Sequence, residues 1–378
     1  MLYTAASVSQ NNTDFEFGPQ IYRQDEYRRQ FRVEGKRYFN SRLNLMLGTD
    51  VQSFGLARKI DSGKQSFEEL LSGAYAEMEW TPVNRFAVKP GIRYENSGLL
   101  GTNTVAPRLS MALKTGVHSQ ASVAGGMFYQ EASSLYLIAG HRPDMQLATH
   151  VIANWQWSQE NRTLRLEGYH KKYDGLILET GLPFDPNVYR YISPAATVTN
   201  GGSGYAQGAE LFWRDKKTIK NADYWISYSY IDTKRRFLNY PIAATPTFIA
   251  DHNLNVVGKY WIDKIKTNVS ATWSYASGRP YYNLPGYLAD NTRFLTDRTT
   301  PDYNSLSATV AYLHSFGKWF TVFYLSVENI TNAKNVFGYR YSPDGNGGYT
   351  ESKIVPALYR TIFFGVNMSL SEFSKDEL

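Results

Sequence analysis

Apolar and polar residues alternate one by one along most of this chain. Between Asn268 and Tyr275, Val269, Ala271, Trp273 and Tyr275 fall on one side, and Asn268, Ser270, Thr272 and Ser274 on the other. That is the period of a β-strand, in which successive side chains point to opposite faces. The same split sets Leu43, Leu45 and Leu47 against Arg42, Asn44 and Met46, and Phe86, Val88, Ile92 and Tyr94 against Arg85, Lys89, Arg93 and Glu95. It separates Leu109, Met111 and Leu113 from Arg108, Ser110 and Lys114, and Leu164, Leu166 and Gly168 from Arg165, Glu167, Tyr169 and Lys171. Tyr224, Ile226, Tyr228 and Tyr230 make an aromatic stripe, and Ile362, Phe364, Val366, Met368 and Leu370 make the last apolar one. Counting such segments predicts about sixteen strands of about 9 to 13 residues, the length a tilted strand needs to cross a bilayer. Capped segments with helical spacing are hard to find.

The connections sharpen this picture. Short turns fall at GKRYFN, WTPVN, KTGVHS, SQEN, DKKTIKN, IDK and SFGK, and long ones at Ser53 to Gln65, Glu131 to Asp144, Ile177 to Ser203, Lys234 to Ala250, Arg279 to Asp302 and Asn332 to Leu358. Alternation of short and long connections puts all the large loops at one end. The expected fold is therefore all-β, an antiparallel transmembrane β-barrel with short periplasmic turns and long extracellular loops. Pro90 cannot donate to a ladder, so with Gly91 it predicts a local bulge. No short repeat or linker interrupts the pattern, and one domain is expected.

Composition is compatible with this fold and removes others. The 378 residues have a mean hydropathy of -0.42, but a strand that shows lipid only at every second residue leaves that average unremarkable. No run approaches the roughly 18 apolar residues of a transmembrane helix. Tyr, Phe and Trp number 29, 20 and 8, a richness expected where rings sit at two membrane interfaces. With no cysteine, disulfides and thiolate metal sites are excluded. The net charge of +6 is scattered and forms no stripe, so no nucleic acid partner is expected. The six histidines have neither HxH nor HxxxH spacing, GGSGYAQG from Gly201 enters a strand and opens no helix, and no nucleophile elbow occurs; the chain carries no signature of an enzyme, a metal or a cofactor. The N-terminal MLYTAASVSQNNTDFEF has no basic or apolar region of a signal peptide, and the final KDEL reads as a polar end after the last strand.

Charges at even spacing within these strands carry the next inference. Facing lipid near the midplane, each Arg or Lys would cost about 2 to 4 kcal/mol, so Arg85, Lys89, Arg93 and Glu95, and likewise Arg165, Glu167, Lys171 and Glu210, are expected to face a wet interior. Arg165, Glu167, Lys171 and Glu210 are the lumen candidates, either on a solute path or in a salt-bridged wall. In the long connections, Phe184, Tyr189, Tyr191, Arg279, Tyr281, Tyr282, Tyr287, Tyr339, Tyr341, Asp344 and Tyr349 are candidates for ligand contact. Ring faces take apolar ligand surface while neighbouring polar groups orient it, although rings near strand ends also suit an interfacial girdle.

Seven segments stand in one order: APRLSMAL from Ala106, LEGYHKKYDGLI from Leu166, GYAQGAELFW from Gly204, ADHNLNVVGKYW from Ala250, YASGRPYYN from Tyr275, VENITNAKNVFGYRYSPDG from Val327, and the closing YRTIFFGVNMSL. Together, from about Ser41 to Leu370 along the alternating strands, they resemble the C-terminal barrel of TonB-dependent outer-membrane receptors, most like those of Bacteroidota. The resemblance implies a barrel of about 22 strands closed by an N-terminal plug, with active import of a scarce solute such as a siderophore, cobalamin, glycan or peptide. It implies TonB as partner through the N-terminal region, the barrel-assembly machinery, outer-membrane lipid, and a small-molecule or oligomeric solute. By this count about six strands, the plug and the TonB-contacting segment are absent, and residues 1–378 are expected to be a partial barrel. The aromatic residue near the family's C-terminus is matched only by Phe373, which SKDEL follows. A passive porin and a soluble β-rich binding protein are the competing expectations.

Overall fold

In the computed structural model, which describes residues 1–17, 20–60, 63–181, 196–289, 298–346 and 348–370, sixteen strands hydrogen-bond into one sheet in sequence order. Two compact units divide the chain. The first holds Met1–Ala153, Tyr169–Ala206 and Thr233–Ala244, and the second Asn154–Gly168, Gln207–Asp232 and Thr245–Leu378.

The first unit contains β1 (Leu2–Phe17), β2 (Gln20–Asn40), β3 (Leu43–Ile60), β4 (Gly63–Val83), β5 (Phe86–Ser97), β6 (Thr102–Lys114) and β7 (Ser119–Gln130), each antiparallel to the next. Register turns the alternation into rows. Gly35, Leu47, Ala76, Ile92 and Pro107 lie side by side across five strands, and one residue along, on the other face, lie Glu34, Gly48, Tyr75, Arg93 and Ala106. A slip of one residue would exchange the two faces, so the pattern fixes the pairing.

Several elements differ from the sequence expectation. Strands run from 9 to 21 residues in the sheet, so many extend beyond a bilayer's thickness. The connection expected from Ser53 to Gln65 is mostly strand. There Phe54 pairs with Glu69 and Leu56 with Phe67, and the rings of Phe54 and Phe67 meet edge to face at 5.5 Å. Leu56 and Phe67 are buried with Tyr136, Leu137 and Ile138 of the short helix α1 (Ser134–Ile138) and with Ile177. Burial under α1 explains why this stretch stays extended. Pro90 keeps its register with Leu109 of β6, while the irregularity between β4 and β5 falls between Trp80 and Val83, beside the turn. The bulge thus sits where the ladder ends, and not at the proline.

Strands β8 (Gln146–Gln159), β9 (Arg162–Thr180), β10 (Thr197–Asp215) and β11 (Ala222–Arg236) are shared out between the units. The second unit adds β12 (His252–Ile262), β13 (Thr267–Ala276), the short helix α2 (Leu284–Ala289), β14 (Tyr303–Phe316), β15 (Trp319–Glu328), β16 (Gly338–Pro343), β17 (Tyr349–Ile354) and β18 (Thr361–Ser369). β16 and β17 form a separate hairpin, and β15 pairs with β18. One face carries the row Tyr260, Val269, Val310, Leu325 and Phe364; the other carries Lys259, Ser270, Thr309, Ser326 and Phe363. The apolar row is not a core: Val310 is 44% exposed and Phe364 65%. A soluble protein does not leave such a continuous apolar face in water, whereas hydrocarbon satisfies it.

Candidate functional site

On the polar face of the first unit, long side chains lie along the wall over glycines. Arg93 of β5 crosses Gly73 of β4 to reach Asp50 of β3 with two bonds, 2.8 and 3.0 Å, and donates a third to Glu95 at 2.7 Å. A Cβ on Gly73 would stand 2.5 Å from Arg93 Nη2, so this crossing requires a glycine. Tyr75 does the same over Gly48 and donates to Glu34 at 2.8 Å. Its ring carries the Arg93 and Arg32 guanidinium groups at 5.7 and 6.0 Å, within cation–π range. Lys89 pairs with Glu77 at 2.6 Å. Arg32, Glu34, Tyr75, Arg93 and Arg108 line a cavity of about 230 Å³ on this wall. Next to it Arg108 and His150 both lie against the ring of Phe128, at 5.5 and 4.7 Å. Such a surface presents charged and polar groups that water can reach. The sequence marked Lys89, Arg93 and Glu95 as inward charges but missed Asp50, Tyr75 and Arg32; Gly48 and Gly73 within long strands were the available signal.

The four lumen candidates do not gather into one cluster. Lys171 lies 5.1 Å over the ring of Tyr169, two residues away on the same strand face. Arg165 and Glu167 have the same strand parity in the other part of β9. Glu210 shares its parity with Arg214 of β10, which grips Asp223 with bonds of 2.9 and 2.7 Å. Asp223 pairs in register with Lys259 on the polar face, and Arg214 and Lys259 both approach the ring of Trp225, at 5.5 and 5.6 Å.

The loop candidates divide more sharply. Phe184, Tyr189 and Tyr191, and the Tyr287 side chain, lie outside the described residues. Tyr281 and Tyr339, 58 positions apart in the sequence, stack with ring centroids 4.2 Å apart. Tyr341 is buried and donates to the Tyr282 carbonyl at 2.7 Å and to Glu351 at 2.8 Å. Glu351 also accepts from Arg298 at 2.8 Å. Burial, then the Glu351 carboxylate, raises both phenols above their usual pKa, so they remain neutral donors. The Arg279 amide donates to the Thr300 hydroxyl at 3.0 Å. Asp344 Oδ1 accepts the Asn346 and Gly348 amides, both at 2.8 Å, within its own turn, and Tyr349 is exposed. Arg298 and Glu351 were missed because nothing local distinguishes them from other surface charges. Among the described residues no cluster of three or more His, Asp or Glu is placed to hold a metal ion.

A sheet that shows hydrocarbon one face and paired charges the other defines the wall of a transmembrane β-barrel. Residues 148–330 match the family described as "TonB dependent receptor-like, beta-barrel". That stretch is just under half of the chain, and the sheet as a whole has the fold of an integral outer-membrane β-barrel. Similar solved structures include the outer-membrane transporter YddB from Escherichia coli, with 11% identity over 92% of this chain and 54% of that one, at a TM-score of 0.66. The ferric yersiniabactin uptake receptor FyuA from Yersinia pestis is 12% identical over 98% of this chain and 58% of its own, at 0.69. The unliganded ferric citrate transporter FecA is 13% identical over 97% of this chain and 59% of its own, at 0.68. The chain thus spans just over half the length of these structures. No curated protein matches it.

Proposed function

We propose that the chain is the barrel portion of a TonB-dependent active transporter that imports a scarce solute across the outer membrane. The observation that carries this reading is the match of residues 148–330 to the receptor barrel family, and the hydrated, charge-paired wall is consistent with a solute path. TonB acts through the part of such receptors that lies outside this barrel portion, and no bond in the solute is made or broken. Arg165, Glu167, Lys171 and Glu210 face the path. Tyr281, Tyr282 and Tyr339, braced by buried Tyr341 and by Arg298 and Glu351, form the outer platform on which the solute first rests. Siderophore-type chelates lead the candidates because two of the similar structures are described as a ferric citrate transporter and a ferric yersiniabactin uptake receptor; cobalamin, glycans and peptides follow.

The test is uptake of labelled ferric chelates by cells that carry or lack the full-length gene. Accumulation should require the gene and should collapse when TonB is removed or the proton gradient is dissipated. The sixteen-strand sheet is the observation that favours a passive porin instead, since porins have about that number. Uptake that persists without TonB and without the gradient would assign the chain to that class.

A further inference from the structure

The short turns of the second unit carry an arrangement that the transport reading does not use. The β10–β11, β12–β13 and β14–β15 turns fall at one edge of the sheet and are bound into it together. The Trp261 amide donates to the Asn221 carbonyl at 2.9 Å, the Asn221 side chain to Asp263 at 2.6 Å, and the Leu313 amide to the Lys266 carbonyl at 2.9 Å. Each turn sets lysine beside an exposed apolar residue. Lys220 follows Ile219, Lys264 and Lys266 flank Ile265, and Lys318 stands between Phe316 and Trp319.

The carboxylates of this edge are engaged by other donors. Asp215 accepts the Lys217 and Thr218 amides at 2.7 and 2.9 Å, the Thr218 hydroxyl at 2.5 Å and the Tyr224 hydroxyl at 3.2 Å. Asp263 accepts the Asn221 amide and the Trp261 indole N–H, at 2.6 and 2.8 Å. Glu160 takes Lys217, and Asp223 takes Arg214 and Lys216. Among the described residues, Lys220, Lys264, Lys266 and Lys318 have no ion-pair partner. Phe316 and Trp319 close their hairpin opposite each other on the apolar face. Tyr312 and Phe323, with rings 6.3 Å apart, continue that aromatic band toward the middle of the sheet.

Apolar rows, then an aromatic band, then uncompensated ammonium groups reproduce the order of hydrocarbon, interface and headgroup in a phospholipid leaflet. We propose that this edge is a phospholipid-binding rim, selecting anionic headgroups of the phosphatidylglycerol type in the leaflet that meets the short turns. The lysines supply charge to the phosphates, Phe316 and Trp319 seat the rim in the aromatic interface, and Ile219 and Ile265 lie beside the lysines in the turns.

The full-length protein, reconstituted in nanodiscs of mixed phosphatidylglycerol and phosphatidylethanolamine, is re-extracted in mild detergent, and its retained lipids are measured by native mass spectrometry. The wild type should retain phosphatidylglycerol preferentially. In the quadruple variant K220Q/K264Q/K266Q/K318Q that preference should fall at least about tenfold, given a scale of about fivefold for each lysine near an anionic surface. K353Q, in the β17 hairpin, should leave it unchanged. Should the quadruple variant not fold, K264Q/K266Q on a single turn should show a smaller loss in the same direction. Wild-type retention by the folded lysine variants, or an equal loss in K353Q, overturns the rim. Uptake in the same strains is read separately: a variant that transports normally but has lost its lipid preference supports the rim, and failure of uptake in the wild type counts against the transport reading alone.

Discussion

Replacing Gly73 with alanine isolates the crossing that builds the polar wall. The new methyl would stand 2.5 Å from Nη2 and 3.0 Å from Cζ of Arg93. Because these atoms are the far end of a flexible side chain, Arg93 swings away while the backbone stays, and both bonds to Asp50 are lost. A hydrogen bond to a charged group contributes about 1.5–3 kcal/mol, while an exposed ion pair contributes only about 0.2–1 kcal/mol. The side chains of Arg93 and Asp50 keep 18% and 20% of their exposure, which puts the pair between these limits, at about 1.5–2 kcal/mol. Alanine in place of a strand glycine returns about 0.5–1 kcal/mol, leaving a net loss of about 1 kcal/mol for G73A. In an R93S background there is no guanidinium to displace, and the same substitution should stabilise by about 0.5–1 kcal/mol. The change of sign is the diagnostic. Urea unfolding of the four proteins in detergent micelles, followed by tryptophan fluorescence and by heat-modifiable gel migration, measures it. If G73A destabilises equally in both backgrounds, Arg93 is not what the glycine accommodates.

Other consequences are as direct. Asn329 sits buried at φ 50° after β15; its side chain donates to the Ala333 and Tyr359 carbonyls and accepts the Ala333 amide at 3.0 Å. N329A should therefore cost about 2–4 kcal/mol in thermal unfolding, and N329D should recover only part of it. Tyr341→Phe removes the bonds to Tyr282 and Glu351 and should loosen the β16–β17 hairpin by about 1–2 kcal/mol, read as faster proteolysis within residues 338–354. Burial, then the charge of Glu69, raises the Glu131 carboxyl above its usual pKa, so the docked loop favours the neutral acid. Its stability is fully present at low pH and is lost as pH rises from the ordinary carboxyl range through the raised value. Hydrogen exchange in residues 131–145, corrected for intrinsic rates, should show protection falling over that interval, and E131Q should flatten the dependence.

Much of this molecule is legible from the chain alone, because a strand's two faces follow from a period of two and need no partner to be read. Val269, Ala271 and Trp273 declare their side locally, and the hydrocarbon that receives them asks only for apolar surface. Even the charges on β5 could be assigned to the wet side by the cost of placing them in lipid. Tertiary structure decided what those charges do. Arg93 meets Asp50 across 43 positions and Tyr75 meets Glu34 across 41, contacts set by strand register and by glycines in the strand between. Tyr281 stacking on Tyr339, and Arg298 joining Tyr341 at Glu351, depend on where connections far apart in the sequence come to rest. The extension of β3 past Ser53 belongs here too, since it follows from α1 covering Leu56 and Phe67. Periodicity reports which face a residue takes, because that is a property of neighbours along the chain; which residue it meets on that face is fixed only when distant strands come into register.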